Sequence, residues 1–506
     1  MPVTSPDDRA RRTAYGVLGA AVLARALLAA LVPLAPDESY YWEWSRHLAA
    51  GYLDHPFGIA VLVRVGTALF GATPLGVRAG SVLAGAAASL VVVRLAGTLG
   101  GARAMRRAAW IIACMPLAQV GLALATPDAP LLLCWSLALA ALAAALTPRA
   151  ARAIATRGWL LAGAALGLAM DAKYTAILLV PGVAVALLVH PALRRTLAAP
   201  APYAALAVAL LAFSPNLVWN ATHGWATVGY GLARGLDAHR GSALVHEAAL
   251  FGGQLALVSP VMFVMLALAA WRAARRRTDP VRTMLGIVAV VTWLAFVVSA
   301  LRSAVEPNWQ APAYLSAIAL AAAYDGGARW RRALRAGVVL GGVLTVAISA
   351  QALVPFLPIS ASLDPTAAGA GWDTLADRVQ AARATVPARV TTWVGGERYQ
   401  EASELAFHLP DHPPTFVIDV QARATEYDRW PSFAQRAHPG DALVLVLGTF
   451  RSPSADPVIA ALAPHFEHVT LREVVALRRG WSVKAWRRVW LLEGWRGSWP
   501  AAQLAR

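Results

Sequence analysis

Charge and cysteine are what this chain has least of. Only 14% of its 506 residues are charged and 58% are hydrophobic, with a mean hydropathy of +0.53, whereas soluble domains carry about 25% charged residues. An ordinary soluble protein is thereby excluded. The two cysteines, Cys114 and Cys134, both fall in apolar runs, where they read as small packing residues and imply no disulfide framework. No cluster of His, Cys, Asp and Glu has the spacing of a zinc site. Nor is there a long internal repeat, or low complexity beyond alanine-rich helices.

What the chain has instead is a series of apolar runs, such as Ala14 to Leu34, Val77 to Leu99, Pro130 to Leu146 and Met284 to Leu301. Each is long enough to cross about 30 Å of hydrocarbon as a helix. Arg25, Arg78 and Arg94 interrupt the first two. The expected architecture is a polytopic α-helical membrane domain of about 11 or more crossings over residues 1–356, followed by a more polar domain over 357–506. Arginines preceding the first run resemble a signal peptide, but the run is too long and no small-residue cleavage site stands out after it. It is read as a retained membrane helix.

The formal charge of +17 raises the question of nucleic acid. The placement of the arginines answers it, because they gather in the gaps between apolar runs rather than in one patch. The clusters are Arg9, Arg11 and Arg12; Arg103, Arg106 and Arg107; Arg149, Arg152 and Arg157; Arg194 and Arg195; Arg272 and Arg275 to Arg277; and Arg329, Arg331, Arg332 and Arg335. This is the signature of cytoplasmic loops, and it predicts no nucleic-acid partner. Successive clusters on one side require paired crossings between them: 14–34 with 76–99, 104–123 with 129–147, 158–170 with 174–190, 198–218 with 246–271, and 283–301 with 310–324. A final helix, 336–356, carries the chain out. The run Phe57 to Phe70 is too short for a crossing and reads as interfacial or re-entrant.

That topology sorts the polar residues. Asp37, Glu38, Asp54, His55, Asp128, Asp171, Lys173, His223, Arg302, Glu306 and Asn308 all fall on the outer side. The loop 35–75 is the densest, with Pro36-Asp37-Glu38-Ser39-Tyr40-Tyr41-Trp42 followed by Gly51-Tyr52-Leu53-Asp54-His55-Pro56. Adjacent Asp37 and Glu38 point in different directions whether the segment is helical or extended, so they need not share one job. A carboxylate at the membrane edge can act as general base on an acceptor hydroxyl or amine, or it can cap a helix start. Lys173, His55 and Arg302 are the outer cations that could hold a lipid phosphate. Each could equally be a snorkelling or loop side chain.

Beyond about Pro358, strand-like runs at Val390 to Val394, Thr415 to Val420, Ala442 to Leu447 and Val474 to Leu477 alternate with helical patterns at Glu397 to Leu409 and Pro457 to His465. An α/β domain on the outer face is predicted. Trp481, Trp486, Trp490, Trp495 and Trp499 read as core, interfacial anchors or sugar-stacking platforms.

The ordered set Pro36 to Trp42, Gly51 to Pro56, Thr126-Pro127-Asp128-Ala129-Pro130, Lys173-Tyr174-Thr175, Ser214-Pro215-Asn216 to Trp219-Asn220, and Glu306-Pro307-Asn308-Trp309-Gln310-Ala311-Pro312 resembles bacterial membrane glycosyltransferases of the aminoarabinose-transferase and protein-mannosyltransferase kind. It runs over about the first 320 residues. In the outer domain, Arg398-Tyr399-Gln400 and Glu426-Tyr427-Asp428-Arg429-Trp430 look like those of a subgroup. The resemblance implies a GT-C fold in a bacterial inner membrane, with the C-terminal domain periplasmic. It also implies inverting transfer of a sugar from a polyprenyl-phosphate donor to a glycolipid, polysaccharide or protein acceptor. Asp37 matches the family's essential aspartate, with Glu38 beside it as the second expected catalytic residue, and Lys173 matches a lysine associated with the donor phosphate. Asp54-His55-Pro56 stands where relatives carry an acid, a basic residue and proline, here with histidine replacing lysine. Glu306 and Asn308 occupy a polar loop beside the sugar, without the lysines often seen there. Asp128, Tyr174, Arg302, Arg398 and Tyr399 complete the expected substrate contacts, and a divalent cation joining Asp37 and Glu38 stays open. The rival class is a transporter or flippase of a lipid-linked sugar, which should show broken helices at the bilayer midplane and repeated halves.

Overall fold

The computed structural model describes residues 5–148, 151–236, 242–418, 424–448 and 456–500. Arg149 of the third arginine cluster and the end of the expected strand at 419–420 lie outside the described residues. The chain divides into two compact units, one of Met1–Ala30 with Ala49–Ser349 and one of Leu31–Leu48 with Ala350–Arg506.

The first unit is a multi-pass helical membrane domain. Among the described residues seven helices are long and apolar enough to cross a membrane, or nine when each of two bent pairs counts as one. Their bounds follow from local chemistry. The first runs Pro6–Leu31, eight residues ahead of the expected start, because the Ser5 hydroxyl accepts from the Asp8 N–H at 3.1 Å. It stops ahead of Pro33, since the residue before a proline disfavours helical geometry. The expected crossings 76–99 and 104–123 form one 40-residue segment, Pro74–Ala113, broken at Gly100 and at Gly101, whose φ is +70°. Pro116, lacking an N–H, cuts the second of them short.

The expected 246–271 crossing is instead a pair, Ala243–Val258 and Pro260–Arg276, bent by 101°. The bend is at Ser259, whose φ is +74° and whose hydroxyl caps the second helix at the Met262 N–H. Gly58–Phe70 is a 13-residue helix, about 20 Å long and so short of a full crossing. Inside the unit, small residues let helices approach: a Cβ on Gly163 would lie 2.1 Å from the Ala205 carbonyl oxygen and one on Gly167 2.4 Å from that of Ala209. Leu23, Leu83, Leu211 and Val346 face outward, as a lipid solvent requires. Of the arginines that interrupt the apolar runs, Arg25 and Arg78 are buried and bonded to neutral groups, whereas Arg94 is exposed. Arg25 donates to Gln119 Oε1 at 2.6 Å and Ser89 Oγ at 3.2 Å, and Arg78 to the Ala29 carbonyl at 3.1 Å.

The second unit holds a five-stranded sheet: β1 (Thr392–Gly396), β2 (Thr415–Val417), β3 (Ala442–Gly448), β4 (His468–Arg479) and β5 (Ser482–Glu493), ordered β2-β1-β3-β5-β4. β1 is parallel to β2 and β3, whereas β5 is antiparallel to β3 and β4. Alternation along β3 sends Val444 and Val446 to a core beneath the helices Trp372–Ala384 and Tyr399–His408, and Leu443, Leu445 and Leu447 to a second core with Phe433, Leu462 and Trp495. Trp490 belongs to β5 and that second core, whereas Trp481 and Trp486 are exposed.

Candidate active site

In the first unit the break between Arg152–Ala172 and Tyr174–Val189 is made by Lys173, which is extended at φ −159°, ψ 132°. Its N–H still donates to the Ala169 carbonyl at 2.9 Å. The break turns its side chain toward Asp128, the first residue of the helix Asp128–Leu146, where a carboxylate suits the positive end of the helix dipole. Lys173 Nζ lies 2.7 Å from Asp128 Oδ1, the two side chains being 8% and 10% exposed. Asn308 Nδ2 donates to Asp128 Oδ2 at 2.7 Å, and the Lys173 ammonium stands 5.7 Å from the centre of the Trp309 ring. Lys173 is one of two lysines in the chain. Its ammonium has three N–H donors, of which Asp128 engages one. The cluster therefore offers a desolvated cation beside an aromatic face.

Three of the expected residues, Asp128, Lys173 and Asn308, are thus brought together. Arg302 and Glu306 are exposed and outside this cluster. Asp171, expected in the outer loop, is instead in the last turn of Arg152–Ala172 and buried, with neither carboxylate oxygen hydrogen-bonded. The break forms only at Lys173, two residues later than the polar pattern indicates.

A second framework holds the Gly51–Pro56 segment. Asn216 Nδ2 donates to the Ala50 carbonyl at 3.0 Å, and Thr227 Oγ1 to that of Tyr52 at 3.0 Å. Gly51 lies so close to Trp219 that a Cβ there would be 2.6 Å from the indole. The Tyr52 N–H closes a turn onto the His55 carbonyl at 3.1 Å, and Asp54 and His55 are half-buried within it. Tyr174, expected to touch substrate, donates its hydroxyl to Asn216 Oδ1 at 2.9 Å, and Asn220 Nδ2 reaches the same oxygen at 3.1 Å. Tyr174 therefore braces this framework. His223 stacks on Trp219 at 4.4 Å, with Nδ1 2.7 Å from the Trp219 carbonyl, which is a loop-end role.

In the second unit, Pro36–Arg46 is a helix and separates the two adjacent acids. Glu38 is buried, and its Oε2 accepts from the Ala35 N–H at 2.9 Å, closing the helix start. Asp37 is exposed and accepts the Tyr399 hydroxyl on Oδ1 at 2.8 Å. Tyr399 also packs on Tyr40, ring centres 4.5 Å apart, and the Tyr40 hydroxyl oxygen accepts from the Glu426 N–H at 2.6 Å. Arg398 is exposed and starts the helix Tyr399–His408, its N–H donating to Glu401 Oε2 at 3.2 Å. Farther along the opening helix, Glu43 pairs with Arg46 at 2.7 Å. Burial pushes the Glu43 carboxyl up against the pull of that guanidinium.

Sequence reasoning missed the cluster around His408, whose Nδ1 is 2.6 Å from Asp373 Oδ1 and whose Nε2 is 3.1 Å from buried Glu404. Burial pushes the imidazole down, but hydrogen bonds and charges from Asp373 and Glu404 outweigh it and raise it to about 9. It missed Gln254 as well. A polar residue inside the apolar run Phe251 to Val258 was the available signal. Among the described residues no group of three or more His, Cys, Asp or Glu side chains could hold a metal ion.

Residues 54–219 match the family of dolichyl-phosphate-mannose-protein mannosyltransferases. Over 334 residues the chain is 29% identical to the lipid A galacturonosyltransferase RgtD of Rhizobium johnstonii, which covers 63% of this chain and 66% of that protein. Among solved structures, ArnT from Cupriavidus metallidurans in the apo state superposes with a TM-score of 0.66 at 19% identity, covering 94% of this chain and 97% of that one. The same enzyme bound to undecaprenyl phosphate gives 0.67 at 18% identity, with the same coverage. That likeness shows the shared fold.

Proposed function

We propose, for a chain that belongs to the bacterial GT-C membrane glycosyltransferases, that it transfers a sugar from a polyprenyl-phosphate donor to lipid A or a related glycolipid. The observation that carries this reading is the buried Lys173–Asp128–Asn308 cluster. A phosphate entering there meets the remaining ammonium donors of Lys173, while Asp128 and Asn308 keep that ammonium from swinging to solvent. Stabilising negative charge on the departing phosphate is the largest electrostatic contribution available to this reaction. His55, half-buried in its turn, is assigned to the donor phosphate as well, and Asp54 to the orientation of His55. Exposed Arg302 and Glu306 are assigned to the sugar.

Asp37 is assigned the acceptor. Its exposed carboxylate takes the proton of the acceptor hydroxyl as that oxygen attacks the anomeric carbon. The bond from that carbon to the phosphate oxygen breaks, polyprenyl phosphate leaves, and the anomeric configuration inverts. Glu38, committed to the helix start, supports Asp37 rather than reacting. The arginine distribution supports an inner-membrane location with the α/β unit periplasmic. The similarity to RgtD makes galacturonic acid the first donor sugar to try, and the undecaprenyl phosphate bound to ArnT supports the lipid carrier.

The test uses the full-length protein in lipid nanodiscs with polyprenyl-phosphate-linked sugars and purified lipid A, read by mass spectrometry of the lipid. Transfer by the unaltered protein, and its fall by about 10²- to 10⁴-fold in Asp37→Asn, is expected. In proteoliposomes, passage of the lipid-linked sugar across the bilayer with no transfer to any acceptor would establish the transporter reading instead.

A further inference from the structure

Asn308 can hold Asp128 only if its own backbone is held, and one buried side chain does this. Asn308 lies in the turn Pro307–Gln310. The Pro307 carbonyl accepts from Gln254 Nε2 at 2.9 Å. Gln254 is 0% exposed, and its Oε1 accepts the Tyr314 hydroxyl at 2.6 Å. A glutamine in an apolar membrane helix is costly unless both ends of its amide are bonded. Here both are, and one of the bonds is spent on the loop. The preceding residue makes a second, steric contact: a Cβ on Gly253 would sit 2.2 Å from Pro307 Cγ and 2.5 Å from its Cβ. One turn earlier, Leu250 packs in an apolar cluster with Val305 and Phe296.

We propose that Gln254 is a positioning residue for donor binding. By fixing the Pro307 carbonyl it sets the Asn308 amide against Asp128 Oδ2, which leaves Asp128 Oδ1 facing Lys173. Gln254 acts through that chain of contacts. The inference rests on the proposed donor-phosphate role of Lys173. Its signature is specific to one substrate, because a displaced Asn308 loosens the phosphate cation and leaves acceptor activation alone.

The experiment measures steady-state transfer by the full-length protein in nanodiscs, varying polyprenyl-phosphate sugar and lipid A separately. Gln254→Leu, which removes the hydrogen bond, and Gly253→Ala, which pushes on Pro307, should each raise the donor KM about five- to tenfold. The lipid A KM should stay within about twofold of wild type, and kcat should fall by no more than about tenfold, because the same cation also stabilises the departing phosphate. Gly252→Ala, where a Cβ meets nothing within 4 Å, should leave all three constants unchanged. Tyr314→Phe, which frees the far end of the Gln254 amide, should move the donor KM the same way by less. An unmoved donor KM in both Gln254→Leu and Gly253→Ala, whatever happens to kcat, would mean that the contacts do not position the donor site, and would overturn the proposal. Lys173→Met separates the two layers. If its affinity for undecaprenyl phosphate matches wild type, the donor-site reading itself falls. If that affinity drops while the Gln254 and Gly253 variants keep theirs, only the positioning role is lost.

Discussion

Lys173 and Asp128 pair at 2.7 Å with both side chains about nine-tenths buried, and that geometry sets the cost of separating them. At an effective dielectric of about 20 the attraction at this distance is about 6 kcal/mol, most of which repays desolvation of the two charges. Lys173→Met removes the cation and leaves the carboxylate with the Asn308 amide alone. A buried charge deprived of its partner costs about 3–5 kcal/mol, and the surviving Asn308 bond places the expected loss at the lower end. Lys173→Met/Asp128→Leu removes both charges and should be less destabilised than the sum of the single variants by about 2–4 kcal/mol. The assay is thermal unfolding of the full-length protein in one detergent at one scan rate, because membrane proteins of this size unfold irreversibly. Lys173→Met is expected to unfold on the order of 5 °C below wild type. An unfolding temperature within about 1 °C of wild type, or strictly additive losses in the double variant, would refute the buried pair. Transfer activity of Lys173→Met should fall at least about 100-fold, as the loss of a preorganised charge at a leaving group requires.

Tyr399→Phe keeps the ring on Tyr40 but deletes the bond to Asp37 Oδ1. It should lower kcat about three- to tenfold with stability changed by less than about 0.5 kcal/mol, and an unchanged kcat would show that this bond does not orient the carboxylate. His408, raised to about 9 between Asp373 and Glu404, favours its protonated form in the folded state. It contributes stability that is fully present below its unfolded value of about 6.5 and is lost as pH rises through about 9, on the order of 3 kcal/mol in all. Unfolding temperatures measured from pH 6 to 10 should therefore decline for wild type and decline less for His408→Phe. Parallel curves would show that the imidazole carries no such linkage.

Properties that depend on a few neighbouring residues were legible. Repeated apolar runs identified a membrane protein, and alternating strand and helix patterns its α/β unit. Four of the five strands fall where the pattern indicates. β5 was read past: its tryptophans were read as core, interfacial anchors or sugar-stacking platforms, and only the tertiary structure shows Trp490, paired with Leu445 of β3, in the core and Trp486, beyond the end of β3, exposed. Asp37 and Glu38 were recognisable as adjacent acids able to take different jobs, but their division needed the helix start at Ala35 and the hydroxyl of Tyr399, 362 residues away.

The same separation explains the rest. Asp128, Lys173 and Asn308 stood out as polar residues on one side of the bilayer, yet their bonds span 45 and 180 residues of sequence. Which faces meet over such distances is decided by helix packing, through contacts such as Gly163 on Ala205, and no local rule reports it. The sequence by itself determined that this is a basic membrane protein whose arginines gather between its apolar runs. The tertiary structure alone decided which of its acids is a cap, which is exposed and which neutralises Lys173, because a side chain's role follows from the partner that packing brings to it.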